Sequence, residues 1–117
     1  MEDRSIVEEA SHAARLREAI SPLLPLGPSL IPLDILLAVT KAFYEGRPLT
    51  IACLTEHLPY SVTGIRYNMR LLVEDDWLLK SHSSHDRRVI HLQPTAKAIA
   101  KLRDLTERVE ALGGRRK

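Results

Sequence analysis

Residues 61–93 read SVTGIRYNMRLLVEDDWLLKSHSSHDRRVIHLQ, a helix-length segment that runs directly into two short apolar segments separated by a polar turn. Ser61 belongs to the residue types that cap helices, and the run that follows it extends to Asp76. Apolar residues recur along this run at the spacing of one helix face, at Ile65, Met69, Leu72 and Val73. The opposite face displays Val62, Thr63, Arg66, Tyr67 and Arg70. The segment therefore predicts an amphipathic helix with a polar, arginine-bearing outer face.

The two segments after this helix have the composition of β-strands. Trp77 to His82 begins with apolar residues, and Val89 to Gln93 alternates apolar with polar residues over most of its length. Residues 83–88 between them are too few for a crossover helix, so an antiparallel hairpin is expected. The turn of this hairpin carries His85, Asp86, Arg87 and Arg88.

A shorter helix is predicted just before the helix over 61–76. Thr50 can cap residues 51–57, and Pro59 ends that segment. Two short helices joined by a tight turn form a helix-turn-helix, and a hairpin directly after the second helix is a wing. On the helical segment alone, an ordinary helical pair with a solvated face is the alternative. The hairpin favours the winged form.

Helical periodicity also extends to both sides of this unit, with a further helix over 32–44. The first and last helices each carry an apolar face that needs a partner, and self-association is the simplest way to bury both faces. The predicted fold class is mainly α (α+β), a winged helix-turn-helix in a single domain of residues 1–117. Its predicted parts are an N-terminal dimerisation helix over 5–21, a winged core over 31–93 and a C-terminal dimerisation helix over 94–112.

Composition narrows the class of protein. The chain of 117 residues, 44% hydrophobic and 27% charged, is typical of one globular domain. The single cysteine, Cys53, allows no internal disulfide and has no zinc-site spacing, so we expect a plain buried thiol in a reducing compartment. No leader-like start is present, and the apolar stretch near 30–39 is broken by Pro32 and Asp34. A cytoplasmic protein with no membrane partner is therefore expected.

The order of helix and hairpin indicates a DNA-binding domain. An exposed helix with arginines on its outer face suits a major groove, and an arginine at a wing tip suits the negative potential of a narrow minor groove. Residues 94–117 hold seven Lys/Arg against three Asp/Glu, which agrees with a polyanionic partner. We therefore predict double-stranded DNA as the partner. The predicted DNA-binding residues are Ser61, Val62, Thr63, Arg66, Tyr67, Arg70, His85, Asp86, Arg87 and Arg88.

Several short motifs follow one another in order between residues 31 and 112. They are Leu49-Thr50, the turn near Ser61, Leu72 before Trp77-Leu78, Asp86-Arg87-Arg88, and Leu92-Gln93-Pro94-Thr95. In this order and spacing the chain resembles the MarR family of bacterial winged-helix transcriptional regulators. The most specific element is Asp86-x-Arg88 in the wing, followed by the Leu-x-x-Thr junction between strand and helix.

The resemblance implies a regulator, usually a repressor, that binds near-palindromic DNA as a homodimer with interleaved terminal helices. It implies that Arg88 enters the minor groove and that Asp86 orients it through an ion pair. It also implies a small-molecule effector pocket between the dimer helices and the DNA-binding lobe. Because the terminal helices are short, the sequence leaves open whether a small-molecule effector is a partner. The outer helix residues that would face bases and phosphates are Thr63, Arg66, Tyr67 and Arg70.

Three positions depart from the family pattern. Gly64 stands where the family often has Thr, so a phosphate contact is expected to differ. Asp76 stands where the family often has Gly, so the turn at the end of the helix is expected to differ. Ser83 replaces an Asp that is common early in the wing.

Two other classes of function have less support in the sequence. The sequence has no phosphate-binding glycine loop, no nucleophile elbow and no metal-ligand spacing, so we expect neither an enzyme nor a cofactor. His82 and His91 would form a weak metal or pH-sensing site if they faced each other across the hairpin, near His85. The main alternative to DNA binding is a winged-helix module that binds another protein, because fold does not fix function.

Overall fold

The computed structural model describes residues 2–27 and 29–113; Met1, Pro28 and residues 114–117 lie outside them. Within that part of the chain five helices surround a two-stranded hairpin, in the order that the sequence predicts. A short 3-10 turn, Ser21–Leu23, follows the first helix. The elements are α1 (Glu2–Ile20), α2 (Leu30–Tyr44), α3 (Ile51–His57), α4 (Val62–Glu74), β1 (Leu78–His82), β2 (Ile90–Pro94) and α5 (Ala96–Gly113).

Side-chain caps fix where the central helices begin. Thr50 accepts from the Cys53 amide at 3.2 Å and Ser61 accepts from the Gly64 amide at 3.0 Å, which confirms both predicted caps. Helix α2 begins at Leu30, two residues before the predicted start, because the Ser29 hydroxyl accepts from the Ile31 amide at 3.2 Å. Pro32 is tolerated there because the first turn of a helix needs no intrahelical donor.

One apolar core joins the helix-turn-helix to the wing. The predicted inner residues of α4, Ile65, Met69 and Leu72, are buried, while Val73 is partly exposed. They pack with residues of α2, α3 and the hairpin, so the outer face of α4 is left in solvent. The buried hydrophobic residues are Ile35, Leu36, Val39, Leu54, Ile65, Met69, Leu72, Trp77, Leu78, Leu92 and Ala98.

The register of the hairpin decides whether His82 and His91 face each other across the strands. Ser81 pairs with His91 and His82 pairs with Ile90, so the two imidazoles project from opposite faces of the sheet. The hypothesis of a His82–His91 metal site is therefore wrong. Across the described ranges, no group of three or more His, Cys, Asp or Glu side chains could hold a metal ion.

Helices α1 and α5 pack against each other outside this core. Their contact leaves Ile6 63% and Val7 62% exposed on α1, and Val109 41% exposed on α5. Apolar surface therefore remains uncovered on both helices.

Among the described residues, no helix combines the length and apolar character needed to cross a membrane. Cys53, expected to be buried, is only half-buried.

A hydrogen bond between distant residues holds the turn before α4. The Tyr60 hydroxyl donates to the carboxylate of Asp34 on α2. This hydrogen bond and partial burial raise the pKa of the Tyr60 phenol above its ordinary value, since both favour the neutral hydroxyl. The residue immediately before the Ser61 cap is therefore tied to the core helix.

The chain leaves α4 through a residue in the left-handed region. Asp76 has a φ of 66°, a conformation that costs an ordinary L-residue about 1–2 kcal/mol and that glycine adopts freely. The Asp76 carbonyl accepts from the Thr95 hydroxyl at 2.7 Å, which holds the turn in place. Asp76 therefore stands in a left-handed turn, the conformation that glycine favours.

We expect Asp76→Gly to raise the free energy of unfolding by roughly 0.5–1 kcal/mol, because it relieves the left-handed strain and removes an acid from a helix C-terminus. Asp76→Asn is the matched control, since it removes only the charge, and Asp76→Ala should destabilise the protein. Urea unfolding followed by circular dichroism measures the three changes. A less stable Asp76→Gly variant would contradict the strain argument.

Candidate nucleic-acid interface

The outer face of α4 is fully presented to solvent. Val62 and Tyr67 are 52% and 55% exposed, although both are large hydrophobic side chains. Ser61 is exposed as well, but its hydroxyl is engaged by the Gly64 amide. A side chain at Gly64 would place its Cβ 3.0 Å from that hydroxyl, so glycine here fits the tight cap. The predicted residues exposed along this face are Ser61, Val62, Thr63, Arg66, Tyr67 and Arg70.

The two arginines of this face differ in their surroundings. Arg70 donates to Glu74 at 3.0 Å, and its guanidinium lies 5.4 Å from the centre of the Tyr67 ring. Arg66 forms no ion pair with any described residue. Arg70 is therefore engaged by two side chains of its own helix, whereas Arg66 can extend outward without breaking an ion pair.

The tip of the wing is organised by Asp86. Its carboxylate accepts from the Arg88 guanidinium at 3.2 Å through both Nε and Nη2, and from the Arg88 backbone amide at 3.0 Å. The guanidinium and then the amide hold the pKa of the Asp86 carboxyl below its ordinary value, since both stabilise the carboxylate. Arg88 remains 91% exposed. The wing thus presents an exposed cation that is paired with Asp86.

Backbone bonds close the wing turn around this pair. The Val89 amide donates to the Asp86 carbonyl at 2.9 Å, and the Ser83 amide donates to the Val89 carbonyl at 2.9 Å. The Ser83 hydroxyl accepts from the His85 amide at 3.1 Å, so serine supplies the local acceptor at this position. His85 and Arg87 are exposed and Asp86 is partly exposed. The four predicted wing residues therefore occupy one turn.

The acidic triplet Glu74-Asp75-Asp76, unfavourable at a helix C-terminus by charge alone, has a structural role that sequence reasoning missed. Glu74 pairs with Arg70, and the Asp75 carboxylate accepts from the Trp77 indole at 2.8 Å. Lys97 of α5 lies 3.6 Å from that carboxylate. The four-residue spacing of Arg70 and Glu74 was a readable signal. The contact between Asp75 and Lys97 had no local signal.

Comparisons with known proteins agree with this fold. The family model for the winged helix DNA-binding domain matches residues 33–98. No curated protein matches the chain.

Solved structures share the fold at low sequence identity. YusO from Bacillus subtilis is 17% identical with a TM-score of 0.72, over 97% of this chain and 78% of YusO. A mutant of ZitR from Lactococcus lactis is 17% identical with a TM-score of 0.68, over 97% of this chain and 79% of ZitR. A mutant of MarR from E. coli, complexed with operator DNA, is 18% identical with a TM-score of 0.64, over 95% and 76%.

We expect Arg88→Ala to raise the pKa of the Asp86 carboxyl toward its ordinary value of 3.8, because the guanidinium is the larger of its two stabilising partners. A depressed pKa means that the pair is intact at neutral pH and is lost as the pH falls through that pKa. Carboxyl carbon NMR titration measures the shift, and Arg87→Ala is the control that should leave it unchanged. Identical titrations in wild type and Arg88→Ala would contradict the pairing.

Proposed function

Because the chain belongs to the winged helix DNA-binding domain family, we propose that it is a sequence-specific, double-stranded DNA-binding transcriptional regulator. The resemblance to the MarR family is confirmed for the fold. One observation carries the proposal: an exposed helix with two arginines and a wing with an oriented, exposed Arg88 are built on the same apolar core.

In this proposal α4 lies in a major groove. Arg66 and Arg70 contact guanine edges or phosphates, because a planar guanidinium can donate two parallel hydrogen bonds. Val62 and Tyr67 supply apolar surface for thymine methyl groups, which accounts for large hydrophobic side chains on an exposed face. Ser61 and Thr63, at the N-terminus of α4, approach the phosphate backbone of the DNA, because the helix dipole favours phosphate there.

The wing lies in the flanking minor groove. Arg88 enters the groove, where the negative potential is strongest if the groove is narrow. Asp86 keeps its guanidinium aimed, and His85 and Arg87 meet phosphates on either side of the turn. A protein bound in this way would occlude a promoter, so the proposed mode of action is repression. Its proposed location is the cytoplasm. Catalysis has no part in it.

We also propose that the protein acts as a homodimer through α1 and α5, with residues 31–93 as the DNA-binding core. The uncovered apolar side chains Ile6, Val7 and Val109 support this arrangement, since water-exposed apolar faces favour association. A dimer would place two α4 helices about 34 Å apart, one turn of DNA. A groove of about 330 Å³ between the end of α1 and the start of α2 is the proposed place for a small-molecule effector.

Removing single arginines tests the DNA interface. We expect Arg66→Ala to weaken binding to the preferred duplex by roughly 1–3 kcal/mol and to relax sequence preference, as loss of a base contact does. Arg88→Ala should weaken binding without unfolding the domain. Fluorescence anisotropy at several salt concentrations measures both, with Lys41→Ala on α2 as the control for a lost positive charge. Unchanged affinity of Arg88→Ala at moderate salt would contradict its assignment.

Charged substitutions test the dimer. We expect Ile6→Asp or Val109→Asp to weaken self-association by at least about tenfold, because burying an unpaired carboxylate costs several kcal/mol. Sedimentation velocity measures the effect, and Arg103→Asp at an exposed position of α5 is the control. If both variants dimerise like the wild type, α1 and α5 are not the interface.

A further inference from the structure

One peptide unit at the wing tip is held from both sides. The carbonyl of Arg87 accepts from His82 Nδ1 at 2.6 Å, and the amide of Arg88 donates to Asp86 Oδ1 at 3.0 Å. These two groups belong to the same planar peptide, so the two hydrogen bonds together fix the orientation of its plane. Asp86 is the neighbour of that peptide, whereas His82 reaches it from the end of β1.

The orientation of this peptide matters because it sets the direction in which Arg88 leaves the backbone. Arg88 is 91% exposed, so the core does not hold its side chain. Ordering a long side chain during binding costs conformational entropy, and a backbone whose orientation is already fixed avoids part of that cost. The two hydrogen bonds to the peptide therefore lower the entropic cost of presenting Arg88 to DNA.

We propose that His82 is a positioning residue of the wing, which fixes the Arg87–Arg88 peptide so that Arg88 is presented to the minor groove. This inference rests on the proposed DNA-binding function and deepens it. His82 is outside the predicted set of contact residues, and it acts through Arg88. The Asp86 ion pair aims the guanidinium, and the His82 bond aims the backbone from which that side chain extends.

The chemistry of the bond specifies which nitrogen of the imidazole carries a hydrogen. A carbonyl oxygen can only accept, so His82 Nδ1 must carry the hydrogen. The bond therefore requires a hydrogen on Nδ1, which the tautomer protonated at Nδ1 and the imidazolium both carry. A side chain with a donor at that position should substitute for histidine, and one without it should not.

Two variants separate the hydrogen bond from simple packing. His82→Leu fills a similar space with an apolar side chain that has no donor. We expect it to weaken binding to the preferred duplex about three- to tenfold. His82→Asn retains a donor near the Nδ1 position and should stay within about twofold of wild type. The matched control is His57→Leu, because His57 Nδ1 makes the same kind of bond to the Cys53 carbonyl at 2.7 Å, but on α3. That control should bind like the wild type.

Nitrogen-15 NMR of the free wild-type protein supplies a readout that does not depend on DNA. The Nδ1 of His82 should show the shift of a protonated, hydrogen-bonded nitrogen at pH 8. If the wild type binds the duplex and His82→Leu binds it with the same affinity, the inference is overturned but the proposed function is not. The same holds if His82→Asn binds as weakly as His82→Leu. Failure of the wild type to bind any duplex would instead overturn the proposed function and the inference with it.

Discussion

Burial of one stripe of α4 is the constraint on which the rest of the structure depends. Ile65, Met69 and Leu72 are each removed from water by α2 and the hairpin, and full burial of such side chains is worth about 1.5–3 kcal/mol apiece. A helix has a fixed period, so the same packing decides which residues face outward. Arg66 and Arg70 are exposed because their neighbours in sequence are buried. The exposed face of α4 is therefore a consequence of the core.

The wing depends on the same core through Leu78 and Leu92, which are both fully buried. Beyond the core, polar contacts join α4, the wing and α5. Asp75, at the end of α4, accepts from Trp77 at the start of the hairpin, and Lys97 of α5 lies 4.7 Å from the centre of the Trp77 ring. These contacts make α4, the hairpin and the first turn of α5 one mechanical unit. The α4 helix and the wing are consequently held in a fixed relation.

The sequence predicts those parts of the fold that depend on local rules. Helical periodicity and the Ser61 and Thr50 caps located α3 and α4, and the length of the turn identified the hairpin. Contacts between distant positions were not predictable, because no pattern in the chain marks the pairing of Tyr60 with Asp34, 26 residues apart. The register of the hairpin was equally hidden, and a shift of one residue moves every side chain to the other face. That rule explains the error over His82 and His91.

At the candidate site, the exposed residues of α4 follow from the sequence pattern and the Asp86–Arg88 pair follows from the resemblance to the MarR family. The contacts of Arg70 and the hydrogen bond of His82 are visible only in the folded structure. The central claim is that a single core presents one helix and one wing to adjacent grooves of DNA. Selection of bound sequences from random duplex DNA by the wild-type protein tests it most directly. The account predicts one enriched motif of two half-sites centred about 10 base pairs apart, bound with strong salt dependence. No enriched motif and no salt-dependent binding would contradict it.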